Sequence, residues 1–345
     1  MVSKKITLAS DYLEGCHPNI LRRLEATNAE KHSGYGEDDI SESARNRIRK
    51  ICQCPKAEVR FLIGGTQANA TVIDAFLFAY QGVIAADTGH IAIHEAGAIE
   101  FGGHKVITLS GTDGKIKASQ VQAYCKAFAS DASKDHEVMP GMVYLSQPTE
   151  YGTLYSLREL TALSKVCHQY HLSLFVDGSR LAYALGSEAN DVSLAAMAHL
   201  CDVFSIGGTK CGALFGEAVV IPDSQRVPHF FTIIKQHGAL LAKGWIAGIQ
   251  FDELFKGKLY DRIGKQAVQK ADRIRNFLIK KGFTLLFDSP TNQIFLLLEN
   301  ERFQELSQKI DFSVWSHPDS RHTLVRLATS WATTEQDVQE FLDVF

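Results

Sequence analysis

Two stretches of this chain set reactive groups behind apolar runs. Leu174-Phe175-Val176 is followed by Asp177-Gly178-Ser179-Arg180, a carboxylate and then a guanidinium three residues on. Downstream, Asp202-Val203-Phe204-Ser205-Ile206 runs into Gly207-Gly208-Thr209-Lys210-Cys211-Gly212, which places one lysine behind small and hydroxyl-bearing residues. A lysine amine can condense with an aldehyde, and a carboxylate can hold a ring nitrogen protonated so that the ring withdraws electrons. Each stretch alone has an ordinary reading, since a lysine after glycines is commonly a solvated loop residue and Asp-Gly is commonly a turn. An aspartate that closes a buried strand carries a desolvation cost that a cationic partner offsets, so the combination points to a built site.

The chemistry is that of a pyridoxal-phosphate site, and the elements that must position it can be read on either side. The apolar run 59–63 leads into Gly64-Gly65-Thr66 and then a helical pattern through Ala68, Val72, Ala75, Phe76 and Ala79. Strand, glycine turn and helix start together offer free backbone N–H groups and a positive dipole end to a phosphate. Gly65, Thr66 and Gln67 are therefore assigned to the cofactor phosphate, although glycine pairs also serve tight turns on steric grounds alone. Strand patterns at 83–86, 104–109, 142–146 and 172–176 alternate with helix patterns at 118–128 and 157–170, and strands at 202–206 and 218–221 flank Lys210. Such alternation predicts a mostly parallel sheet with helices on both faces and ligands at the carboxyl ends of strands, where Asp177 lies.

Beyond Ser224 the rhythm is lost. Residues 257–264 read as a hinge before a helix at 265–281, and 284–345 as strands and helices of a smaller unit. The first 25 residues mix Ser10, Asp11, Gly15, Pro18 and Asn19, which predicts an extended arm before any stable helix. The expected division is an arm over 1–25, a large cofactor-binding domain over 26–256 and a small C-terminal domain over 257–345.

Asp177-Gly178-Ser179-Arg180 resembles the Asp-Gly-Ala-Arg pattern of the threonine aldolase family, within the beta-eliminating lyases of the aspartate aminotransferase fold (fold type I). Thr209-Lys210-Cys211-Gly212 resembles the Ser-Lys-Gly at that family's cofactor lysine. Further matches follow in family order almost end to end: Ala9-Ser10-Asp11, Tyr35-Gly36-Glu37-Asp38, Gly64-Gly65-Thr66-Gln67-Ala68-Asn69, His90-Ile91 with Glu95, Thr291-Asn292 and Val325-Arg326-Leu327. Gly64 and Gln67 replace the serine and methionine of the family's Ser-Gly-Thr-Met phosphate motif.

The resemblance implies an α/β fold of the pyridoxal-phosphate-dependent transferase type, with a mostly parallel central sheet and a smaller C-terminal α/β domain. It implies pyridoxal 5'-phosphate on Lys210, with Asp177 against the ring nitrogen. His90 takes the place of an imidazole stacked on the ring and able to guide a hydroxyl proton, whereas a lone histidine after a strand is commonly structural. Ser10 and Arg326 become the clamp for a substrate carboxylate, and Arg180 either joins it or contacts the cofactor's phenolic oxygen. Tyr35 is implied to act across a subunit boundary, hence a homodimer or homotetramer. His94 stands where the family has an aromatic such as tyrosine, Lys243 where it has an arginine in a glycine-rich segment, and Ser330 where many members have histidine. Glu95 matches a family carboxylate with no assigned role.

The reaction so implied is cleavage of a beta-hydroxy-alpha-amino acid, of the threonine, allo-threonine or phenylserine kind, to glycine and an aldehyde. The alternatives are another fold type I lyase or an aminotransferase, and then an inactive pyridoxal-phosphate-binding protein. Retention of Lys210, Asp177 and His90 speaks against the last.

Composition is compatible with this reading. The 345 residues are 45% hydrophobic and 22% charged, as in a folded globular chain long enough to bury a sizeable core. A formal net charge of -3 provides no general attraction to nucleic acid or an anionic membrane, so anion binding must be local. The seven cysteines are scattered without zinc-site or Cys-x-x-Cys spacing, which predicts reduced, mostly buried thiols and no metal. No apolar stretch follows the basic start or reaches membrane-span length, and a cytoplasmic location is expected.

Overall fold

The computed structural model describes residues 5–345. Seven strands form the central sheet in the order Glu58–Leu62, Glu217–Ile221, Val203–Gly207, Ser173–Asp177, Met139–Ser146, Gln81–Ala86 and Val106–Leu109. All neighbours are parallel except Glu217–Ile221, which is antiparallel to the strands on both its sides. The strands at Ser173–Asp177, Val203–Gly207 and Glu217–Ile221 are buried at every position, as expected of a sheet covered on both faces.

Alternate residues feed two separate cores. Ile84, Val143, Leu174, Val176, Phe204 and Ile206 point into one, and Val83, Met142, Tyr144, Phe175 and Val203 into the other. This is the two-residue period of a pleated strand acting on an apolar run. The expected strands and helices are present with shifts of a few residues at their ends; Met139–Ser146, for example, starts earlier than 142.

A second, four-stranded antiparallel sheet runs in the order Ser313–Ser316, His322–Ala328, Gln293–Glu299 and Thr284–Leu285. Its apolar face packs with Ile274, Leu278, Val338 and Phe341 in a third core. The helix Leu259–Lys280 joins this core to the first, contributing Ile263 and Ala267 to one and Ile274 and Leu278 to the other. It begins earlier than the expected 265, because Leu259, Tyr260 and Ile263 extend the same buried stripe. Gly264 lies inside this helix rather than in a hinge; a side chain there would collide with the Ala182 carbonyl.

The start of the chain also departs from expectation. Pro18–Thr27 is helical, with proline in the first turn and His17 Nδ1 accepting from the Asn19 amide at 3.2 Å. Proline suits that position because its missing N–H would be unpaired there in any case. Before the helix, Ile6–Thr7 pairs in parallel with Ile310–Asp311, and Leu8 sits in the third core. The start of the chain thus forms a two-stranded sheet of its own, is tied to the four-stranded one by the Ala328 amide donating to the Leu8 carbonyl at 2.8 Å, and delivers Ser10 and Asp11 to the ends of the large one. Among the described residues no helix is long and apolar enough to cross a membrane.

Candidate active site

Asp177 closes its strand at the carboxyl edge of the central sheet and is 4% exposed. Its Oδ2 accepts from the Tyr144 hydroxyl at 2.7 Å and Asn69 Nδ2 at 3.0 Å, and its Oδ1 from the Ser179 amide at 2.8 Å and hydroxyl at 2.7 Å. Burial opposes the charged form, but Tyr144, the nearby His90, Asn69 and Ser179 together hold the carboxyl below its ordinary range. Gly178 is required next, since a Cβ there would strike the Ser205 carbonyl. The Gly178 amide donates to Ser205 Oγ at 2.9 Å, tying this turn to the strand that leads to Lys210.

Asn69 carries the network onward. Its Nδ2 also donates to Glu95 Oε1 at 2.7 Å, and the same oxygen lies 2.7 Å from His90 Nδ1. The His90 amide donates to Glu150 Oε1 at 2.8 Å, which also accepts from the Ser146 hydroxyl at 2.6 Å. His90 is therefore held by Nδ1 and by its backbone, and among the described residues its Nε2 has no hydrogen-bond partner. Burial raises Glu150 above the ordinary carboxyl range.

The helix Gly65–Phe76 begins with Gly64 as its cap, and no side chain caps it. Its first-turn N–H groups are open to an anion. A Cβ on Gly65 would lie 3.2 Å from Ser179 Oγ, so the helix start packs directly against the Asp177 turn. Asn69, a turn later on this helix, reaches Asp177 itself. Thr66 is exposed, and Gln67 Oε1 accepts from the Ile63 amide at 3.3 Å.

Two arginines meet the start of the chain, and the structure treats them differently. Arg180 pairs through two bonds with the fully buried Asp11, Nε to Oδ2 at 2.7 Å and a terminal nitrogen to Oδ1 at 3.0 Å. Asn292 Nδ2 supports the same Oδ2 at 2.9 Å. Arg326 is 9% exposed and, among the described residues, donates to neutral acceptors, Gln293 Oε1 at 3.4 Å and the Ala9 carbonyl at 3.3 Å, with the Tyr12 side chain also beside it, while its guanidinium lies 5.4 Å from the Trp315 ring centre. Its Nε and the Ser10 hydroxyl are buried with no hydrogen-bond partner among the described residues. Burial and the neighbouring Arg180 reduce the basicity of Arg326, and the same two causes lower that of Lys210.

Not every sequence candidate converges. Tyr35 is 43% exposed, with its ring under Lys235 Nζ at 4.8 Å and its amide donating to the Ala242 carbonyl at 3.1 Å. Neither contact involves Lys210 or Asp177. Lys243 is exposed, and Ser330 is engaged locally, its amide donating to Thr333 Oγ1 at 2.8 Å. His94 lies 5.6 Å from the His90 ring and 5.7 Å from that of Trp315.

Tyr144, Glu150, Trp315 and Glu217 enter only with the structure. The strand reading of 142–146 concealed that Tyr144 and Ser146 share a face beside Asp177. Asn69 and Asp11 were present in the matched motifs, but nothing in the spacing gave them a role. Among the described residues no cluster of three or more histidine, cysteine or acidic side chains could hold a metal ion.

The residues present fit pyridoxal phosphate. An uncapped helix start, a buried carboxylate below its ordinary range, a lysine of lowered basicity and unpartnered polar atoms on Ser10 and Arg326 lie around one edge of the sheet. The architecture is that of fold type I, the aspartate aminotransferase fold. A Thermus thermophilus aspartate aminotransferase variant superposes with a TM-score of 0.73 at 15% identity, covering 100% of this chain and 96% of the other, a likeness of fold alone.

Residues 7–285 match the beta-eliminating lyase family, and the chain belongs to it. A threonine aldolase structure from Leishmania major superposes with a TM-score of 0.95 at 40% identity, covering 98% of each chain. A low specificity L-threonine aldolase of a Pseudomonas strain is 28% identical over 346 residues, 99% of this chain and 97% of the relative. That of Pseudomonas aeruginosa is 29% identical over 309 residues, 86% of each.

Proposed function

We propose that this chain is a pyridoxal-phosphate-dependent carbon–carbon lyase that cleaves beta-hydroxy-alpha-amino acids of the threonine class into glycine and an aldehyde. The observation that carries the reading is the division of labour between the two arginines. Arg180 is neutralised by Asp11, so Arg326 is the cation left for a substrate carboxylate, with Ser10 beside it. When bound, the cofactor supplies the electron sink that weakens bonds at the substrate's alpha carbon.

The chain's residues do the rest. Lys210 Nζ, made less basic by burial and Arg180, would hold the cofactor through its aldehyde carbon. Asp177 keeps the ring nitrogen's proton in place. The open N–H groups at Gly65, Thr66 and Gln67 hold the phosphate. Arg326 and Ser10 fix the carboxylate, and thereby which bond at the alpha carbon stands in line for cleavage. His90, oriented by Glu95 and the Glu150 bond to its amide, presents Nε2 to take the beta-hydroxyl proton as the alpha–beta carbon bond breaks. Tyr35, remote from its own chain's site, completes a neighbour's in a homodimer or larger assembly.

Borohydride reduction of the loaded enzyme followed by peptide mapping should place the pyridoxyl group on Lys210. Product analysis across threonine, allo-threonine and phenylserine should then find glycine and an aldehyde without any keto acid. Formation of a new amino acid that depends on a keto acid, with no glycine from any of them, rejects the aldol reading in favour of amino-group transfer.

A further inference from the structure

Glu217 is an acid in a strand of aliphatic side chains. It opens Glu217–Ile221 ahead of Ala218, Val219, Val220 and Ile221, is 2% exposed, and has an Oε2 atom without a hydrogen-bond partner among the described residues. The sheet register sets it opposite Gly207. Between the two, the chain makes a loop closed by the Gly208 and Thr209 amides, which donate to the Gly216 carbonyl at 2.9 and 3.1 Å, and by the Gly216 amide, which donates to Thr209 Oγ1 at 3.0 Å. Lys210 follows one clamped residue and Glu217 the other, so the loop closure sets the two residues near each other at the sheet edge, and each side chain's charge acts on the other. The other groups that act on this space are Asp177 at the end of the central strand, Arg180 after it, and Asp11 from the start of the chain. Cys211 and Tyr260 also feel the Glu217 charge. A buried carboxyl with an unpartnered oxygen is costly, and Lys210 is the cation that acts on it most strongly, ahead of Arg180.

We propose that Glu217 is a positioning residue that sets the charge state of Lys210: as the neutral acid it leaves the amine free to lose its proton, and as the carboxylate it stabilises the ammonium. Burial pushes the Glu217 carboxyl up to about 8, with Lys210 opposing the shift. The uncharged amine is the form that condenses with an aldehyde. Each change of state exchanges one proton with solvent and alters no carbon bond. The consequence for catalysis rests on the reading of Lys210 given above, whereas the coupling between the two side chains is measured without it.

The test uses cofactor-free protein and acetylation of Lys210 by acetic anhydride, read by peptide mass spectrometry across pH. Glu217→Gln keeps the size of the side chain and removes its charge. The Lys210 midpoint should fall by about one pH unit, giving roughly tenfold faster labelling below the midpoint. An unchanged or raised midpoint in folded Glu217→Gln overturns the proposal. The wild type provides a second measurement that does not depend on how the variant folds. With glutamate labelled at its side-chain carboxyl carbon, a resonance titrating near 8 should appear, and its absence also overturns the proposal. If pyridoxyl mapping finds another lysine while the labelling shift persists, the coupling stands and the cofactor assignment falls.

Discussion

Arg326→Leu and Arg180→Leu should leave opposite signatures, although both remove a buried guanidinium that meets the start of the chain. Arg326 gives up two hydrogen bonds to neutral acceptors, at 3.4 and 3.3 Å, worth roughly 0.5–1.5 kcal/mol each, and a cation–π contact worth roughly 0.5–2 kcal/mol. Against this stands the desolvation of a cation that no carboxylate pairs with, which costs several kcal/mol per ion. The unliganded Leu variant should therefore be within about 1 kcal/mol of wild-type stability, or above it. Arg180→Leu strands Asp11, which is fully buried, and should lose about 3–5 kcal/mol. Function divides the other way. Loss of a charge-assisted pair to the substrate carboxylate should weaken glycine binding to the Arg326→Leu holoenzyme by about 3 kcal/mol, roughly a hundredfold. Denaturant unfolding of the cofactor-free variants measures the first pair of values, and spectral titration of the loaded enzyme with glycine measures the last. Equal destabilisation of the two variants, or unchanged glycine affinity in Arg326→Leu, refutes the assignment of Arg326 as the free anion receptor.

Asp177→Asn should retain the fold and some cofactor but lose about 3–4 kcal/mol of transition-state stabilisation, because an amide cannot hold the ring nitrogen's proton and its N–H group faces the donor on Asn69; near wild-type turnover in the folded variant would count against this. Asp11 and Asp177 both have folded-state carboxyls held below the ordinary value of 3.8, so the stability they contribute is complete above that value and disappears as pH falls through their lower folded values. Thermal unfolding should show that loss on the acid side and a smaller one in Asp11→Asn; a wild-type midpoint that stays flat from about pH 5 to about pH 2 contradicts it. Glu217 has the reverse sign: its folded carboxyl titrates above the ordinary value of 4.5, so its ionisation works against the fold as pH rises toward about 8, and Glu217→Gln should flatten stability over that window. Sedimentation should find at least a dimer at assay concentrations, and Tyr35→Phe should alter activity without altering folding; a fully active monomer is incompatible with the shared site.

The local signals in this chain were strong wherever one residue's neighbours in sequence were also its neighbours in space. Continuous apolar runs predict buried strands, and Asp177, Lys210 and Gly65 stand at strand ends or a helix start, so their placement followed from position along the chain. Patterning was weaker where an apolar stripe crossed a glycine. Gly264 reads as a hinge, yet the stripe from Leu259 to Leu278 spans two cores and continues as one helix. Proline likewise reads as a breaker, although Pro18 starts a helix because the first turn needs no donor there.

Pairing across long separations was decided only by the folded chain. Arg180 and Arg326 are alike as sequence, each a cation beside apolar residues. They differ because the parallel pairing of Ile6–Thr7 with Ile310–Asp311 brings Asp11 in from the start of the chain, within ion-pair distance of one and not of the other. Asn69, Glu95 and His90 become one chain of hydrogen bonds to Asp177 because a helix and a strand meet at the sheet edge. Glu217 reads as the polar end of an ordinary strand until the antiparallel register sets it beside the lysine loop. Which groups carry charge depends on desolvation and on partners brought from elsewhere in the chain, and both are properties of tertiary structure.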